Sequence, residues 1–271
     1  MLALDEVSTD SPSLIAGSRQ STVADRPSLA QAFAALGVEE DCEWALANYK
    51  RAVTKLCKLL AARRLIEIGG GRDPLFARSE IENLGVEMTV NDISPGELAV
   101  LPAGYRTACF DVAGDISSVA HLRNGFDFAF SRMVFEHVAD GQQAWKNLYE
   151  LLAPGGVGLI YIPTLYALPF VANRLLPDRL AAQIVKTIYK NRTDDEDPVF
   201  PARYSWCFTD ARLSKMLGAV GYREILVQPF YGHGYYKPVP VIHKLQTWFS
   251  EIARRHDWRV FTSFAYIAVR K

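Results

Sequence analysis

The sequence has no surplus of charge of either sign, since 30 Lys and Arg balance 30 Asp and Glu over 271 residues. Proteins that bind nucleic acid through its phosphates usually carry a clear basic excess. The composition therefore gives no electrostatic reason to expect a nucleic-acid partner.

Long apolar runs and paired cysteines are also missing. No stretch approaches the roughly 18 apolar residues that a membrane span requires. Asp5 and Glu6 stand where a secretion signal would be basic. The cysteines are scattered without paired spacing, and they are Cys42, Cys57, Cys109 and Cys207. Such spacing is typical of reduced thiols, so the sequence predicts a cytoplasmic protein.

The chain is 49% hydrophobic, enough for a large core in one globular domain with insertions. Residues 1–26 are rich in Ser, Asp, Thr and Ala without apolar periodicity, so they are predicted to be flexible. Residues 27–62 show helical periodicity and are predicted to form an N-terminal helical cap. The main domain is predicted to occupy residues 63–271.

Three consecutive glycines interrupt the chain immediately after a short apolar run, Leu65 to Ile68. Such a run is typical of a strand buried on both faces of a parallel sheet. Gly69, Gly70 and Gly71 lack a Cβ, so a ligand could lie against the main chain there. Asp73 and Pro74 are predicted to cap and open the following helix.

Acidic residues follow the next two predicted strands. Asp92 ends the strand 87–91, and Ser94 with Glu97 has the spacing of a capping box that starts a helix. Asp92 also lies near the spacing of about 20 residues at which an acid binds ribose hydroxyls. Asp111 follows a third strand, 105–110. Because the carboxyl ends of parallel strands meet at one edge, these acids are expected near the glycine turn.

Strands and helices alternate along the main domain, which predicts right-handed crossovers and a parallel sheet. The predicted strands are 64–68, 87–91, 105–110, 126–131, 157–162, 224–228 and 261–270. The fold class is therefore α/β: a Rossmann-like, seven-stranded, mostly parallel sheet with helices on both faces and an antiparallel last strand. A turn at Pro154-Gly155-Gly156 is predicted before the fifth strand, and Thr209 and Gly221 are predicted to cap a late helix.

A dinucleotide fingerprint would need a third glycine where Pro74 stands, and Asp73 would repel phosphates. A nucleoside with a positive centre and no phosphate fits these carboxylates better.

The chain resembles the class I S-adenosylmethionine-dependent methyltransferases, in particular their small-molecule branch. The resemblance runs from about Trp44 to Lys271. It rests on an acid-x-Gly-x-Gly turn, an acid after each of the next two strands, and three later motifs. These features are Glu67 to Gly71, Asp92, Asp111, Phe126-Asp127, Glu136-His137-Val138 and Leu151 to Gly156.

The resemblance implies S-adenosyl-L-methionine as cofactor and assigns roles to single positions. It implies that the main chain at Gly69, Gly70 and Gly71 runs close beside the methionine part of the cofactor. It also implies that Glu67 orients the ammonium group of that part. Asp92 would bind both ribose hydroxyls, Asp111 with Val112 would meet the adenine, and Ile93 is expected among the cofactor-binding residues. The carbonyl group of Ser131 would accept a hydrogen bond from the ligand's amino group.

His137 is the candidate general base, because it follows the fourth strand on the ligand-bearing edge. The alternative is that Glu136 and His137 only shape the loop. No set of converging metal ligands is evident, so no metal is predicted.

Two insertions depart from the plain fold. Residues 164–204 are too long for an ordinary connection and are predicted to form a lid over the acceptor pocket. They carry Arg174 and Arg179, which suit an amphiphilic or anionic acceptor, such as a lipid-linked or glycan-derived molecule. Residues 231–258 form a late helical insertion, whose apolar stripe could dock on the domain, on a second subunit or, through 239–256, on a membrane surface.

The sequence therefore predicts S-adenosylmethionine-dependent methyl transfer, on oxygen or nitrogen, to a small-molecule acceptor. One alternative is a non-catalytic S-adenosylmethionine-binding relative that acts through a partner surface. The other is a nicotinamide oxidoreductase.

Overall fold

The computed structural model describes residues 26–165, 201–237 and 240–271. Residues 1–25 of the predicted flexible segment and residues 166–200 of the predicted lid lie outside the described residues. Arg174 and Arg179 are among them. Within the described ranges, no helix is both long enough and apolar enough to cross a membrane.

Seven strands form one sheet, as predicted. They are β1 Arg64–Ile68, β2 Glu87–Asp92, β3 Arg106–Cys109, β4 Phe126–Arg132, β5 Leu152–Pro163, β6 Glu224–Tyr231 and β7 Thr262–Arg270. Their order is β3-β2-β1-β4-β5-β7-β6, and only β7 runs antiparallel to its neighbours. The strand order reverses between β1 and β4, so the carboxyl ends of these strands form the expected ligand-bearing edge.

Helices cover both faces of the sheet. In the described residues they are α1 Leu29–Ala34, α2 Cys42–Leu59, α3 Arg78–Leu84, α4 Pro95–Ala99, α5 Gly141–Leu151, α6 Ala211–Val220 and α7 Pro240–Arg255. Short 3-10 turns occupy Ser117–Leu122 and Arg259–Phe261. Buried side chains of α1 and α2 share one core with one face of the sheet, and those of α5 and α6 share a second core with the opposite face. The predicted α/β class is confirmed.

Helix α2 is fixed to the sheet by a buried tyrosine. The hydroxyl of Tyr49 lies 2.7 Å from the carbonyl oxygen of Ser131 in β4 and 3.0 Å from that of Leu159 in β5. Its ring stacks on Tyr161 and meets Tyr266 edge-on. The helix therefore belongs to the core of the domain.

The predicted helix start at Asp73 and Pro74 is wrong. The chain continues as an irregular turn, and α3 begins at Arg78 with Ala77 as its N-cap. Leu75 and Phe76 are buried in the core, and the N–H group of Leu75 donates to the carboxylate of Glu67. Burial of these two side chains holds the segment outside a helix.

Two further boundaries differ from the prediction. Strand β5 begins at Leu152, directly after α5, and Pro154-Gly155-Gly156 lies inside it at an irregularity in its pairing with β4. The N-cap of α6 is Asp210, because Thr209 is buried and its hydroxyl group donates to the carbonyl oxygen of Arg259. The predicted Ser94 cap and the Gly221 helix end are confirmed.

Candidate functional site

The glycine turn joins β1 to the segment before α3 at the carboxyl edge of the sheet. Gly69 and Gly71 have φ angles of 72° and 46°, in the left-handed region that disfavours side chains. The N–H group of Gly70 donates to the carbonyl oxygen of Asn91 at 2.9 Å. That hydrogen bond ties the turn to the end of β2.

Side chains of the protein itself occupy the space beside each glycine. A Cβ on Gly69 would lie 2.8 Å from one methyl group of Val134 and closer still to the other. A Cβ on Gly70 would meet Val90 and Glu67, and one on Gly71 would lie 3.0 Å from Oδ2 of Asp92. The glycines are therefore required by close packing, and Gly71 brings the main chain beside a carboxylate.

Glu67 lies on β1 and is only 3% exposed. Both oxygens of its carboxylate accept from the N–H group of Leu75, at 3.1 and 2.9 Å. Burial raises the pKa of Glu67 to about 7, although the Leu75 hydrogen bond and the cationic Arg132 act in the opposite direction. Near neutral pH this group therefore changes charge readily.

Asp92 ends β2 on the other side of the turn. Its Oδ1 accepts from the N–H group of Ser94 at 2.8 Å, whereas Oδ2 faces Gly71. Partial burial raises the pKa of Asp92, and the nearby Glu97 adds to the shift. Glu97 itself is held in a bidentate pair with Arg72, with both N–O distances at 2.6 Å.

The segment after β3 is held at the same edge by two buried asparagines. Asn91 donates from Nδ2 to the carbonyl oxygens of Ala108 and Phe110. Asn147 of α5 donates from Nδ2 to the carbonyl oxygens of Val112 and Gly114, at 2.8 and 2.7 Å. These hydrogen bonds leave Val112 buried and Asp111 exposed, with Oδ1 of Asp111 accepting from the N–H group of Ala113.

The predicted contact of Ser131 falls on a carbonyl group that already has a partner. Ser131 is fully buried, its hydroxyl group donates to the carbonyl oxygen of Ile68, and its own carbonyl oxygen accepts from Tyr49. Ile93, in contrast, is 57% exposed beyond the end of β2. The roles of Ser131 and Ile93 toward a ligand stay predictions.

His137 lies beside a buried carboxyl group. Its Nε2 is 3.7 Å from Oε1 of Glu136, and its Nδ1 is 3.4 Å from the carbonyl oxygen of Pro201. Glu136 is 3% exposed, and burial raises its pKa to about 8. Its Oε2 has no hydrogen-bond partner among the described residues. The pair therefore combines an imidazole with a carboxyl group that holds its proton at neutral pH.

The structure brings most of the predicted site residues to one edge. Glu67 and Asp92 flank the glycine turn, and Asp111 and Val112 follow the neighbouring strand. His137 follows β4, on the other side of β1. No group of three or more His, Cys, Asp or Glu residues suited to a metal ion occurs in the described part of the chain.

Sequence reasoning missed Val134 and Asn147. Val134 gives no signal in the sequence, because its packing on Gly69 depends on how the loop after β4 folds back. Asn147 does give one, since it is a polar residue in the buried stripe of α5 between Ala144 and Leu148. A buried side-chain amide in an apolar stripe indicates that the amide forms hydrogen bonds inside the protein.

Comparisons with known proteins agree with this geometry. Residues 66–160 match the family model described as "Methyltransferase domain". Over 117 residues the chain is 31% identical to phosphoethanolamine N-methyltransferase 1 of Triticum aestivum. That match covers 41% of this chain and 22% of the wheat protein, so the chain matches about a fifth of its relative's length.

Two solved structures have a similar fold. The CMeT domain of the citrinin polyketide synthase has a TM-score of 0.51 and 14% identity, over 84% of this chain and 54% of that one. The trans-methyltransferase CalH, solved in complex with S-adenosylhomocysteine, also has a TM-score of 0.51 and 14% identity, over 82% of this chain and 55% of that one.

The sheet order and the likeness to these two structures show a Rossmann-like methyltransferase fold. Within that fold, residues 66–160 are the part that matches the methyltransferase domain model. The resemblance drawn from the sequence is confirmed.

Proposed function

We propose that the protein transfers a methyl group from S-adenosyl-L-methionine to a small-molecule acceptor. The observation that carries this proposal is the placement of Glu67 and Asp92 on either side of a left-handed glycine turn, inside a methyltransferase domain. Two carboxylates at this edge suit a ligand with hydroxyl groups and a positive charge.

The residues fit S-adenosylmethionine in three respects. Asp92 is half-buried with Oδ2 directed at Gly71, so it can accept from ribose hydroxyl groups beside the bare main chain. Glu67 supplies a buried carboxylate for an ammonium group. The segment of Asp111 and Val112 offers one exposed polar and one buried apolar side chain for the adenine. Gly69, Gly70, Ile93 and Ser131 complete the proposed cofactor site.

When bound, S-adenosylmethionine supplies an electrophilic methyl group, and alignment of the acceptor with it provides much of the catalysis. An oxygen or nitrogen acceptor must also lose a proton. We propose His137 as the base that takes this proton, because it follows β4 at the carboxyl edge of the sheet. Burial raises the pKa of the neighbouring Glu136 to about 8, and its Oε1 lies 3.7 Å from Nε2 of His137.

A small acceptor is supported by the wheat relative, whose name specifies phosphoethanolamine, and by the balanced charge of the chain. An amphiphilic, lipid-linked or glycan-derived acceptor is the narrower proposal. The described cysteines are free thiols, which supports the predicted cytoplasmic location.

The test is calorimetric binding of S-adenosylmethionine, S-adenosylhomocysteine and NAD to the wild-type chain and two matched variants. Asp92→Asn removes a charge at the site. Asp127→Asn removes one at the opposite end of the sheet, where Asp127 accepts from the N–H groups of Arg63 and Arg64. We expect Asp92→Asn to lower the affinity for the two adenosyl ligands about 10- to 100-fold, because it removes a charged hydrogen bond, which contributes about 1.5–3 kcal/mol.

We expect Asp127→Asn to bind like the wild type. Equal losses in both variants, or tighter binding of NAD than of the adenosyl ligands, would contradict the proposal. Tight adenosyl binding without methyl transfer to any acceptor in a metabolite panel would favour the non-catalytic alternative.

A further inference from the structure

Helix α7 has its polar and apolar faces reversed relative to an ordinary surface helix. Of its residues only Ala253 is fully buried. The side chains turned toward the domain are those of Ala253 and of the polar residues His243, Gln246 and Ser250, which are partly buried. Helix α2, by comparison, buries Tyr49, Val53 and Leu56 against the sheet. Most of the apolar side of α7 is therefore left exposed to solvent.

Polar contacts fix the inner side of α7. With its amide group oriented to satisfy its neighbours, Gln246 bonds both backbone groups of His233, at 3.2 and 3.3 Å, and the hydroxyl group of Ser250 at 3.0 Å. Gly232, just before His233, lies against Gln246 and Ser250. These contacts orient the opposite side of the helix toward solvent.

The exposed side forms one apolar patch. Val241 is 80% exposed, Leu245 64% and Trp248 62%. The patch continues through ring contacts between Phe249 and Phe261 and between Phe261 and Trp258. The patch consists of Val241, Ile242, Leu245, Trp248, Phe249, Trp258, Val260 and Phe261. A contiguous exposed apolar surface of this kind marks an interaction site.

The charges around the patch favour one partner. Helix α7 carries three cations, Lys244, Arg254 and Arg255, and one acid, Glu251, which pairs with both arginines. Arg259 beside the patch pairs with Asp257. A cationic excess bordering tryptophan, leucine and phenylalanine is typical of helices that lie in the interface of an anionic bilayer.

We propose that α7 and the adjoining 3-10 turn dock this patch on the surface of an anionic lipid bilayer. The aromatic and aliphatic side chains enter the interface, and Lys244 and Arg255 lie at the level of the lipid phosphates. The insertion leaves the carboxyl end of β6, at the same sheet edge as Glu67 and Asp92. The segment that docks therefore begins and ends at the sheet edge that carries the proposed cofactor site.

The test is co-sedimentation of the full chain with vesicles of phosphatidylcholine alone and of phosphatidylcholine mixed with phosphatidylglycerol. It needs neither cofactor nor acceptor, so its result is independent of the proposed methyl transfer. We expect the wild type to bind the anionic vesicles, and added salt to weaken that binding.

Leu245→Glu should lower the affinity for vesicles about tenfold or more, because an apolar anchor becomes an anion. Lys244→Glu should lower it on anionic vesicles.

The matched control is Leu46→Glu, since Leu46 on α2 is 60% exposed and lies outside the patch. It should bind vesicles like the wild type. The proposal is overturned if Leu245→Glu and the wild type bind alike. It is also overturned if the wild type does not bind vesicles. In that case, ultracentrifugation that shows a dimer which Leu245→Glu dissociates would assign the patch to a second copy of the chain. A monomer in both proteins would leave the patch without a lipid or subunit partner, which likewise contradicts the proposal.

Discussion

Glu67 carries a carboxyl group that is buried at the carboxyl edge of the sheet and accepts a single backbone N–H group. Burial raises its pKa to about 7, so the folded chain holds this proton more tightly than the unfolded chain does. Its contribution to stability is complete below the ordinary glutamate pKa of 4.5 and is lost as the pH rises through about 7. A cation bound beside Glu67 would stabilise the ionised carboxylate and so lower its pKa.

We therefore expect the affinity for S-adenosylmethionine to rise with pH through about 7 in the wild type more steeply than in Glu67→Gln. Glutamine can still accept from Leu75 but cannot become an anion. Above pH 7 the variant should bind about 10- to 100-fold more weakly. Calorimetry of both proteins across this range is the measurement, and the comparison removes any titration of the ligand itself. Parallel pH profiles would contradict a charged contact of Glu67 with the ligand.

Among the elements, the turn after β1 and the loop after β4 depend on each other. Val134 occupies the space that a side chain on Gly69 would need, and the N–H group of Met133 in the same loop donates to the carbonyl oxygen of Tyr161. Met133 has a φ angle of 58°, which is rare for a residue with a side chain. The loop that carries Glu136 and His137 is thus packed directly on the glycine turn.

This packing predicts that Gly69→Ala lowers the free energy of unfolding more than Gly37→Ala does. Both glycines have left-handed φ angles, 72° and 65°, but a Cβ on Gly37 would meet no atom within 4 Å. We expect Gly37→Ala to cost about 1–2 kcal/mol from backbone strain alone. Gly69→Ala should cost about 1–3 kcal/mol more, from overpacking against Val134.

Urea unfolding of the two variants, and of the double variant Gly69→Ala with Val134→Ala, measures this coupling. Removing the methyl groups of Val134 should recover part of the extra cost. Equal stabilities of Gly37→Ala and Gly69→Ala would show that the loop moves away freely.

For the molecule as a whole, the helices before β1 act as part of the sheet's own core. Tyr49 on α2 joins β4 and β5, and α1 reaches the far edge, where the N–H group of Leu29 donates to the carboxylate of Glu224 in β6. Stability of the domain should therefore depend on contacts made before residue 60.

We expect Tyr49→Phe to lower the free energy of unfolding by about 1–2 kcal/mol, because the single buried O–H proton shared by the carbonyl oxygens of Ser131 and Leu159 is lost. Tyr105→Phe is the control, since the hydroxyl group of Tyr105 donates to one partly buried carbonyl oxygen, that of Phe76. Tyr105→Phe should lower the free energy of unfolding less than Tyr49→Phe does. Chemical denaturation with a single transition is the measurement, and an unchanged midpoint for Tyr49→Phe would show that α2 is detachable.

The sequence by itself determined the strand-glycine-acid pattern, the seven strands and the family resemblance. These are local features, because alternation, glycine content and an acid at a strand end are readable from neighbouring residues. The same reasoning failed at Asp73 and Pro74, where a good helix-start signal lost to the burial of Leu75 and Phe76.

Only the tertiary structure decided which groups meet across the sheet. Val134 on Gly69, Asn147 on Val112 and the hydroxyl group of Tyr49 on Ser131 join residues far apart in the chain. The periodicity of α7 showed an apolar stripe, but its direction followed from the contacts of Gln246 with His233. A helix's pattern defines its two sides, whereas the rest of the fold determines which side faces solvent.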